Sequence, residues 1–209
     1  DADAEVVVPG VAAPEGDRPA RSGTVVVSAG RAWDEAKGAH VLDAAAGILR
    51  GLAGDAAPEV HLLGETSGPG EDRFEARHLS AHGRVERAEV DAWLGHASVY
   101  VAASLYEPFG LAPLEAALHG CALVLSDIGS FRELWKGCAV FFPAGDAEAL
   151  ANAILQLRHD PARCPKLAEG ARTRALRRYT ARRMPDDYLS LYRELHARRQ
   201  AAAQKVAVV

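Results

Sequence analysis

Short apolar runs alternate with helical patterns along most of this 209-residue chain. The runs TVVVSAG, EVHLLG, SVYVAA, ALVLS and AVFFP are apolar at nearly every position, and a further strand is predicted near Ala76–Leu79. Strands of this kind are buried on both faces, which is typical of a parallel sheet covered by helices on either side. The alternation therefore predicts an α/β fold with a doubly wound parallel sheet.

The chain divides into three parts by composition. Residues 1–22 are rich in Ala, Pro, Gly and charged side chains, with a strand-like stretch only at Glu5–Pro9, and we predict a linker or interdomain tail there. Residues 23–160 carry the alternating pattern and form the predicted domain. Residues 161–209 are rich in Ala and Arg and predict helices with a break near Met184–Pro185.

Composition argues against several classes of function. The 24 Lys and Arg against 28 Asp and Glu give a net charge of −4, so nucleic acid is not an expected partner. Cys121, Cys138 and Cys164 are odd in number and lie apart, which indicates reduced thiols. No apolar run reaches the length of a membrane span, and the N-terminus has no signal-peptide pattern. We therefore predict a cytoplasmic protein that contacts membranes only through another domain.

The segment YEPFGLAPLEAALHG, residues 106–120, predicts a helix start that binds phosphate. Pro113 is tolerated only in the first turn of a helix, so the helix begins close to Gly110 and ends at Gly120. Gly110 and Leu111 then offer backbone N–H groups at the positive end of the helix dipole. A phosphate group fits that position.

Glu107 and Glu115 flank this helix start. A carboxylate accepts hydrogen bonds from two neighbouring hydroxyls, which suits a sugar ring or a ribose. Two carboxylates on either side of a phosphate site indicate a sugar nucleotide. The alternative is a solvated loop acid and a surface helix acid, which is the better interpretation for an isolated pair. The glycine at the strand-to-helix turn between them favours the ligand interpretation.

The loop SAGRAWDEAKG adds two cations at the same edge of the predicted sheet. Arg31 and Lys37 can neutralise a diphosphate, the first as a planar fork and the second as a point charge. Asp34 and Glu35 lie between them and are alternative partners for either cation. The pair alone is therefore weak evidence.

Several catalytic motifs are absent from the sequence. We find no zinc-protease pair of histidines, no nucleophile elbow, no Walker phosphate loop and no G-x-G-x-x-G after a strand. A dinucleotide-binding oxidoreductase is therefore the weakest alternative. The motifs favour a binding site for a substrate rather than for a resident metal or cofactor.

Four motifs occur in a fixed order: the GR and KG of AGRAWDEAKG, then EPFGLAPLE, GCALVLSDIGSFREL and PAGDAEALANAI. Together they resemble the C-terminal, donor-binding domain of retaining glycosyltransferases of the GT-B fold, in the family 4, group 1 type. The resemblance covers roughly Val25–Leu157. It implies one Rossmann-like half of a GT-B enzyme.

The resemblance also implies roles for individual residues. Arg31 and Lys37 resemble the pair that holds the donor diphosphate, and the region after Gly83 resembles the loop that lines the base. Glu107 resembles the residue that touches the transferred sugar, as a sugar-positioning catalytic residue, and Glu115 resembles the ribose ligand. The donor-binding set implied is Arg31, Lys37, Glu107, Phe109, Gly110, Leu111 and Glu115.

The chain has no room for the second, N-terminal domain that binds most of the acceptor in such enzymes. The segment YLSLYREL resembles the part that packs back toward that domain, so residues 161–209 are expected to do the same. We therefore expect no sugar transfer by this chain alone.

The leading hypothesis is a domain that binds a nucleoside-diphosphate sugar for transfer, without a metal ion and with retention, to a sugar or lipid-type acceptor. No cofactor besides this substrate is expected. The alternatives are a non-catalytic sugar-nucleotide-binding module and one half of a split enzyme. An epimerase or phosphorylase of the same fold is less favoured.

Overall fold

The computed structural model describes residues 7–14, 24–160 and 162–206. The strands are β1 (Val25–Ala29), β2 (Glu59–Leu63), β3 (Ser80–Ala81), β4 (Val99–Ala102), β5 (Ala122–Ser126) and β6 (Ala139–Phe142). The helices are α1 (Ala39–Ala53), α2 (Arg87–His96), α3 (Leu111–His119), α4 (Gly129–Trp135), α5 (Ala147–His159), α6 (Arg163–Arg178) and α7 (Arg183–Val206).

The six strands form one parallel sheet in the order β3-β2-β1-β4-β5-β6. Neighbouring residues along a strand point to opposite faces, and both faces are covered. Val26 and Val99 pack with α1 and α5 on one face. Val27 and Tyr100 pack with α2, α3, α4 and α6 on the other. The predicted doubly wound parallel sheet is therefore confirmed.

The strand predicted near Ala76–Leu79 is wrong in position, because β3 comprises only Ser80–Ala81. The backbone N–H groups of residues 77–79 donate to the buried Asp43 carboxylate of α1, at 2.8–3.2 Å. These donors are used by a side chain instead of by a neighbouring strand. Pairing with β2 consequently begins after Leu79.

The break predicted near Met184–Pro185 lies slightly upstream, between the end of α6 and the start of α7. Pro185 falls within the first turn of α7, where a missing N–H is tolerated. In the intervening segment, Val11 N–H donates to the Tyr179 carbonyl at 2.9 Å and Ala181 N–H donates to the Val11 carbonyl at 3.0 Å. The N-terminal segment thus holds this break in place.

Parts of the terminal predictions lie outside the described residues. The strand-like stretch Glu5–Pro9 is described only from residue 7 onward, and residues 7–10 form no strand. The linker over residues 1–22 and the contact of residues 161–209 with a further domain stay predictions.

Cys121 and Cys138 are buried, and Cys164 is partly buried. Burial raises the pKa of the Cys138 thiol above its ordinary value. In the part of the chain that the structure describes, no helix combines the length and apolar character needed to cross a membrane.

Candidate functional site

A cavity of about 460 Å³ opens at the carboxyl ends of β1 and β4. The strand order reverses between these two strands, and in open α/β sheets this is where ligands bind. Its volume is in the range of small-molecule sites. Six of the seven predicted donor-binding residues line it, namely Arg31, Lys37, Glu107, Phe109, Gly110 and Leu111.

The loop from β1 to α1 is shaped by a short 3₁₀ turn, Glu35–Lys37, which the side chain of Asp34 caps. Gly38 follows with φ +65°, and a Cβ atom there would lie 2.1 Å from the carbonyl oxygen of Ala103. Only glycine permits this close approach and this backbone conformation. Leu105 N–H donates to a carbonyl of the same turn at 2.9 Å, so the loops after β1 and β4 are held together.

Lys37 and Glu107 form an ion pair across these two loops. Lys37 Nζ lies 2.6 Å from Glu107 Oε2, with the side chains 26% and 17% exposed. The Ser130 hydroxyl of α4 donates to the Glu107 backbone carbonyl at 2.5 Å, which fixes the loop from the other side. Because an ammonium group has three N–H donors, Lys37 can contact Glu107 and an anion at the same time.

Arg31 lies at the rim of the cavity with its side chain 57% exposed. Its Nη2 atom lies 2.7 Å from Asp34 Oδ2, and its guanidinium carbon lies 5.3 Å from the centre of the Trp33 ring. Asp34 is therefore the partner of Arg31, whereas Lys37 pairs with Glu107. The stacked, forked guanidinium keeps further N–H donors for a ligand.

The first turn of α3 faces the cavity. Gly110 has φ +89°, and a Cβ atom there would lie 2.8 Å from the buried ring of Phe131, so glycine is required. No side chain caps the helix, and the N–H groups of Leu111 and Ala112 lie in the turn where intrahelical acceptors are missing. Pro113 has no N–H, as its place in this turn allows. The predicted helix bounds are confirmed.

Glu115 lies on the second turn of α3, outside the lining of the cavity. Its Oε1 atom lies 2.5 Å from Arg87 Nη1 of α2, and the two side chains are 20% and 56% exposed. Hydrogen bonds with Glu115 and then Asp91 raise the pKa of the Arg87 guanidinium above its ordinary value. The predicted ribose ligand is thus already paired with a cation from the neighbouring helix.

Three further contacts close this cluster into a ring. Arg87 also contacts both carboxylate oxygens of Asp91, at 3.1 Å from Nε to Oδ2 and 2.9 Å from Nη2 to Oδ1. His119 Nε2 lies 3.4 Å from Asp91 Oδ1, and His119 Nδ1 lies 2.8 Å from the Glu115 carbonyl oxygen. The ring of Glu115, Arg87, Asp91 and His119 joins α2 to α3.

Sequence reasoning missed two residues that shape the site. The buried Tyr100 hydroxyl lines the cavity and exchanges hydrogen bonds with the backbone of Ala29 at 3.2 and 3.3 Å, and burial raises its pKa well above the ordinary value. Arg87 is the other. Arg87 stands four residues before Asp91 in a predicted helix, so that spacing was visible, but the contact with α3 was not.

The other loops at this sheet edge contribute less. Residues 64–68 and 126–133 lie outside the lining of the cavity. Among residues 7–14, 24–160 and 162–206, no group of three or more His, Cys, Asp or Glu side chains is placed to hold a metal ion.

Comparison with known proteins identifies relatives of this chain. The family model described as "Glycosyl transferases group 1" matches residues 23–160. A phosphatidyl-myo-inositol mannosyltransferase of Mycobacterium leprae is 36% identical over 169 residues, which cover 76% of this chain and 43% of the relative. The chain spans less than half the length of the curated relatives that it matches.

Solved structures agree on the fold. Sucrose-phosphate synthase from Thermosynechococcus elongatus superposes with a TM-score of 0.70 at 27% identity, over 83% of this chain and 46% of that one. Anabaena HepE in complex with UDP-glucose superposes with a TM-score of 0.71 at 21% identity, over 82% of this chain and 49% of that one. The second likeness shows the fold alone.

Proposed function

Because the chain belongs to the group 1 glycosyltransferases, we propose that it is the donor-binding domain of a retaining enzyme of the GT-B fold. It binds a nucleoside-diphosphate sugar in the cavity between β1 and β4. The sugar is transferred to a sugar or lipid-type acceptor that a second domain binds. The family match and the name of a related mannosyltransferase support the transfer of a sugar.

The observation that carries the proposal is the Lys37–Glu107 pair beside the first turn of α3. A diphosphate in the cavity meets the remaining donors of Lys37, the guanidinium of Arg31 and the N–H groups of Leu111 and Ala112. These donors are fixed before the ligand arrives. They also stabilise the negative charge that the leaving nucleoside diphosphate gains as the sugar bond breaks.

Glu107 acts on the sugar. Its Oε2 atom contacts Lys37, which leaves Oε1 to accept hydrogen bonds from the sugar hydroxyls. The contact with Lys37 and the Ser130 hydrogen bond hold this carboxylate at a fixed distance from the diphosphate. We assign Glu107 a sugar-positioning role, in which it orients the anomeric carbon toward the acceptor.

Glu115 acts on the ribose. It follows the phosphate-binding turn by one turn of the same helix, so a nucleotide that runs along α3 from its first turn brings the ribose toward it. A carboxylate at that position accepts hydrogen bonds from the ribose hydroxyls. The proposal needs no metal ion, because cationic side chains and backbone donors neutralise the diphosphate.

The test is thermal unfolding of the chain with UDP, GDP, ADP and their glucose or mannose conjugates, in buffers with EDTA or with Mg²⁺. A ligand at about 100 times its dissociation constant adds about 2.7 kcal/mol to the free energy of unfolding. For a chain of this size, that raises the Tm by about 5–10 °C. We expect one base to give this rise equally in both buffers.

Uridine, guanosine and adenosine serve as controls, since they lack the diphosphate and should leave the Tm unchanged. No rise with any nucleoside diphosphate would contradict donor binding. A rise that requires Mg²⁺ would contradict the metal-independent mode.

A further inference from the structure

Glu115 differs from the other predicted ligands in being held by a side chain from a different helix. Glu115 belongs to the cavity-side helix α3, and its carboxylate contacts Arg87 of the neighbouring helix α2 at 2.5 Å. The contact uses Oε1 and leaves Oε2 to meet a ribose hydroxyl. The orientation of Glu115 therefore depends on Arg87.

We propose that Arg87 is a positioning residue that orients Glu115 for the ribose hydroxyls of the nucleotide. This inference rests on the proposed donor-binding function and adds a residue to it. Arg87 lies outside the lining of the cavity that contains Lys37 and Arg31. It acts on the nucleotide through Glu115 and not by contacting the diphosphate.

Arg87 suits this role because it is itself held in place. Asp91 lies one turn further along α2 and contacts the Arg87 guanidinium with both of its oxygens. A planar guanidinium fixed on one edge presents its remaining N–H groups in a defined direction. Glu115 is thereby restricted to one orientation before binding. Less side-chain conformational entropy is then lost when it accepts a hydrogen bond from a ribose hydroxyl.

His119 supports the same arrangement from α3. It contacts Asp91 through Nε2 at 3.4 Å, and through Nδ1 it donates to the Glu115 carbonyl at 2.8 Å. His119 thus holds the backbone of Glu115, while Arg87 holds its side chain. A movement of α2 relative to α3 would change the ribose contact without touching the diphosphate contacts.

The experiment measures how strongly the chain discriminates ribose from deoxyribose. UDP, GDP and ADP and their 2′-deoxy and 3′-deoxy forms are titrated calorimetrically in EDTA, and the base that binds best is used for the variants. For the unchanged chain we expect at least one deoxy form to bind about tenfold more weakly, because it lacks a hydrogen bond to a charged group.

Arg87→Met replaces the guanidinium with an apolar side chain of similar length. In this variant we expect the ratio of the affinities for the ribo and deoxy forms to fall to about twofold, since Glu115 is no longer oriented. Affinity for the deoxy form should stay within about twofold of the unchanged chain, because its phosphate contacts are intact. Arg87→Lys keeps the positive charge but not the planar, forked guanidinium. Its ratio should lie between those of the unchanged chain and Arg87→Met.

Arg198→Met is the matched control, because it removes an exposed arginine that also contacts a glutamate, Glu194, at 2.5 Å. Its ratio should equal that of the unchanged chain. In Glu115→Gln the ratio should be low, and adding Arg87→Met should lower it no further, because both changes remove one interaction.

Three results would overturn the inference while donor binding stands. Arg87→Met could weaken ribo and deoxy forms equally, it could leave the ratio unchanged, or the unchanged chain could bind ribo and deoxy forms alike. Failure of every nucleoside diphosphate to bind the unchanged chain would instead overturn the proposed function, and this inference with it.

Discussion

Two carboxylate–cation pairs flank the first turn of α3, and they differ in where the cation comes from. We call Lys37–Glu107 the inner pair and Arg87–Glu115 the outer pair. Both members of the inner pair line the cavity and come from the loops after β1 and β4. The outer pair lies beyond the cavity, between α2 and α3, and its arginine is more than half exposed.

Under the proposed function, the two pairs serve two parts of the ligand. The inner pair is shielded from solvent, so its charges act strongly on a charged ligand group. In the outer pair Arg87 is 56% exposed, so solvent weakens its electrostatic effect, and we expect the pair to act by fixing Glu115 as a hydrogen-bond acceptor. We therefore expect loss of Lys37 to weaken diphosphate binding, loss of Glu107 to weaken sugar binding, and changes at the outer pair to weaken ribose binding.

The largest effect is expected where the turn between the pairs is broken. In Gly110→Ala, a left-handed backbone conformation and a contact with the Phe131 ring together cost about 3 kcal/mol of unfolding free energy. This lowers the Tm by about 6–12 °C. Binding of every nucleotide should also be lost, because the distorted turn is the one that lies between the two pairs. Thermal unfolding and calorimetric titration measure the two effects.

Gly51→Ala in α1 is the matched control, because no atom lies within 4 Å of a Cβ placed there. It should leave the Tm unchanged or raise it, since alanine favours a helix more than glycine does. Normal stability in Gly110→Ala would contradict the requirement for glycine at this turn.

The next effect is loss of the inner cation. Lys37→Met leaves the partly buried Glu107 carboxylate unpaired and facing the diphosphate, so affinity should fall by about 30-fold or more. Adding Glu107→Gln should restore part of the affinity for the nucleoside diphosphate, because the uncompensated charge is then removed. Calorimetric titration of the single and double variants measures this recovery.

Lys136→Met provides the control, since Lys136 is exposed at the end of α4 and lies outside the cavity lining. Its affinity should equal that of the unchanged chain. Equal affinities in Lys37→Met and Lys136→Met would show that the inner pair does not bind the diphosphate.

The smallest expected effect is the change in Tm when the outer pair is broken. Ion pairs with a largely exposed partner contribute about 0–1 kcal/mol, so Arg87→Met should change the Tm by less than about 4 °C. Thermal unfolding without ligand tests this directly. A much larger fall in Tm would mean that the ring between α2 and α3 holds the fold together, which would weaken the contrast between the two pairs.

The parts of the fold that depend on local signals were predictable. Continuous apolar runs indicated the parallel sheet, and the bounds of α3 followed from Gly110, Pro113 and Gly120 because each restricts the backbone at its own position. The strand near Ala76–Leu79 was misplaced because the Asp43 carboxylate, distant in sequence, binds the backbone donors there. No local pattern reveals that competition.

Six of the seven predicted site residues line the cavity, but the sequence did not predict their partners. The sequence left Asp34 and Glu35 as alternative partners of both loop cations, whereas folding pairs Lys37 with Glu107, 70 positions away. The Arg87–Glu115 contact likewise depends on how α2 packs against α3. Pairings across the sheet edge arise from tertiary packing, which residue spacing does not encode.

The most direct test of the division between the pairs compares Glu107→Gln with Glu115→Gln. Each variant is titrated in EDTA with the nucleoside diphosphate that binds best and with its sugar conjugate. We expect Glu115→Gln to weaken both ligands by about tenfold, since the ribose is common to them. Glu107→Gln should weaken the sugar conjugate by about tenfold and leave the diphosphate within about threefold. Equal losses for both ligands in both variants would contradict the account.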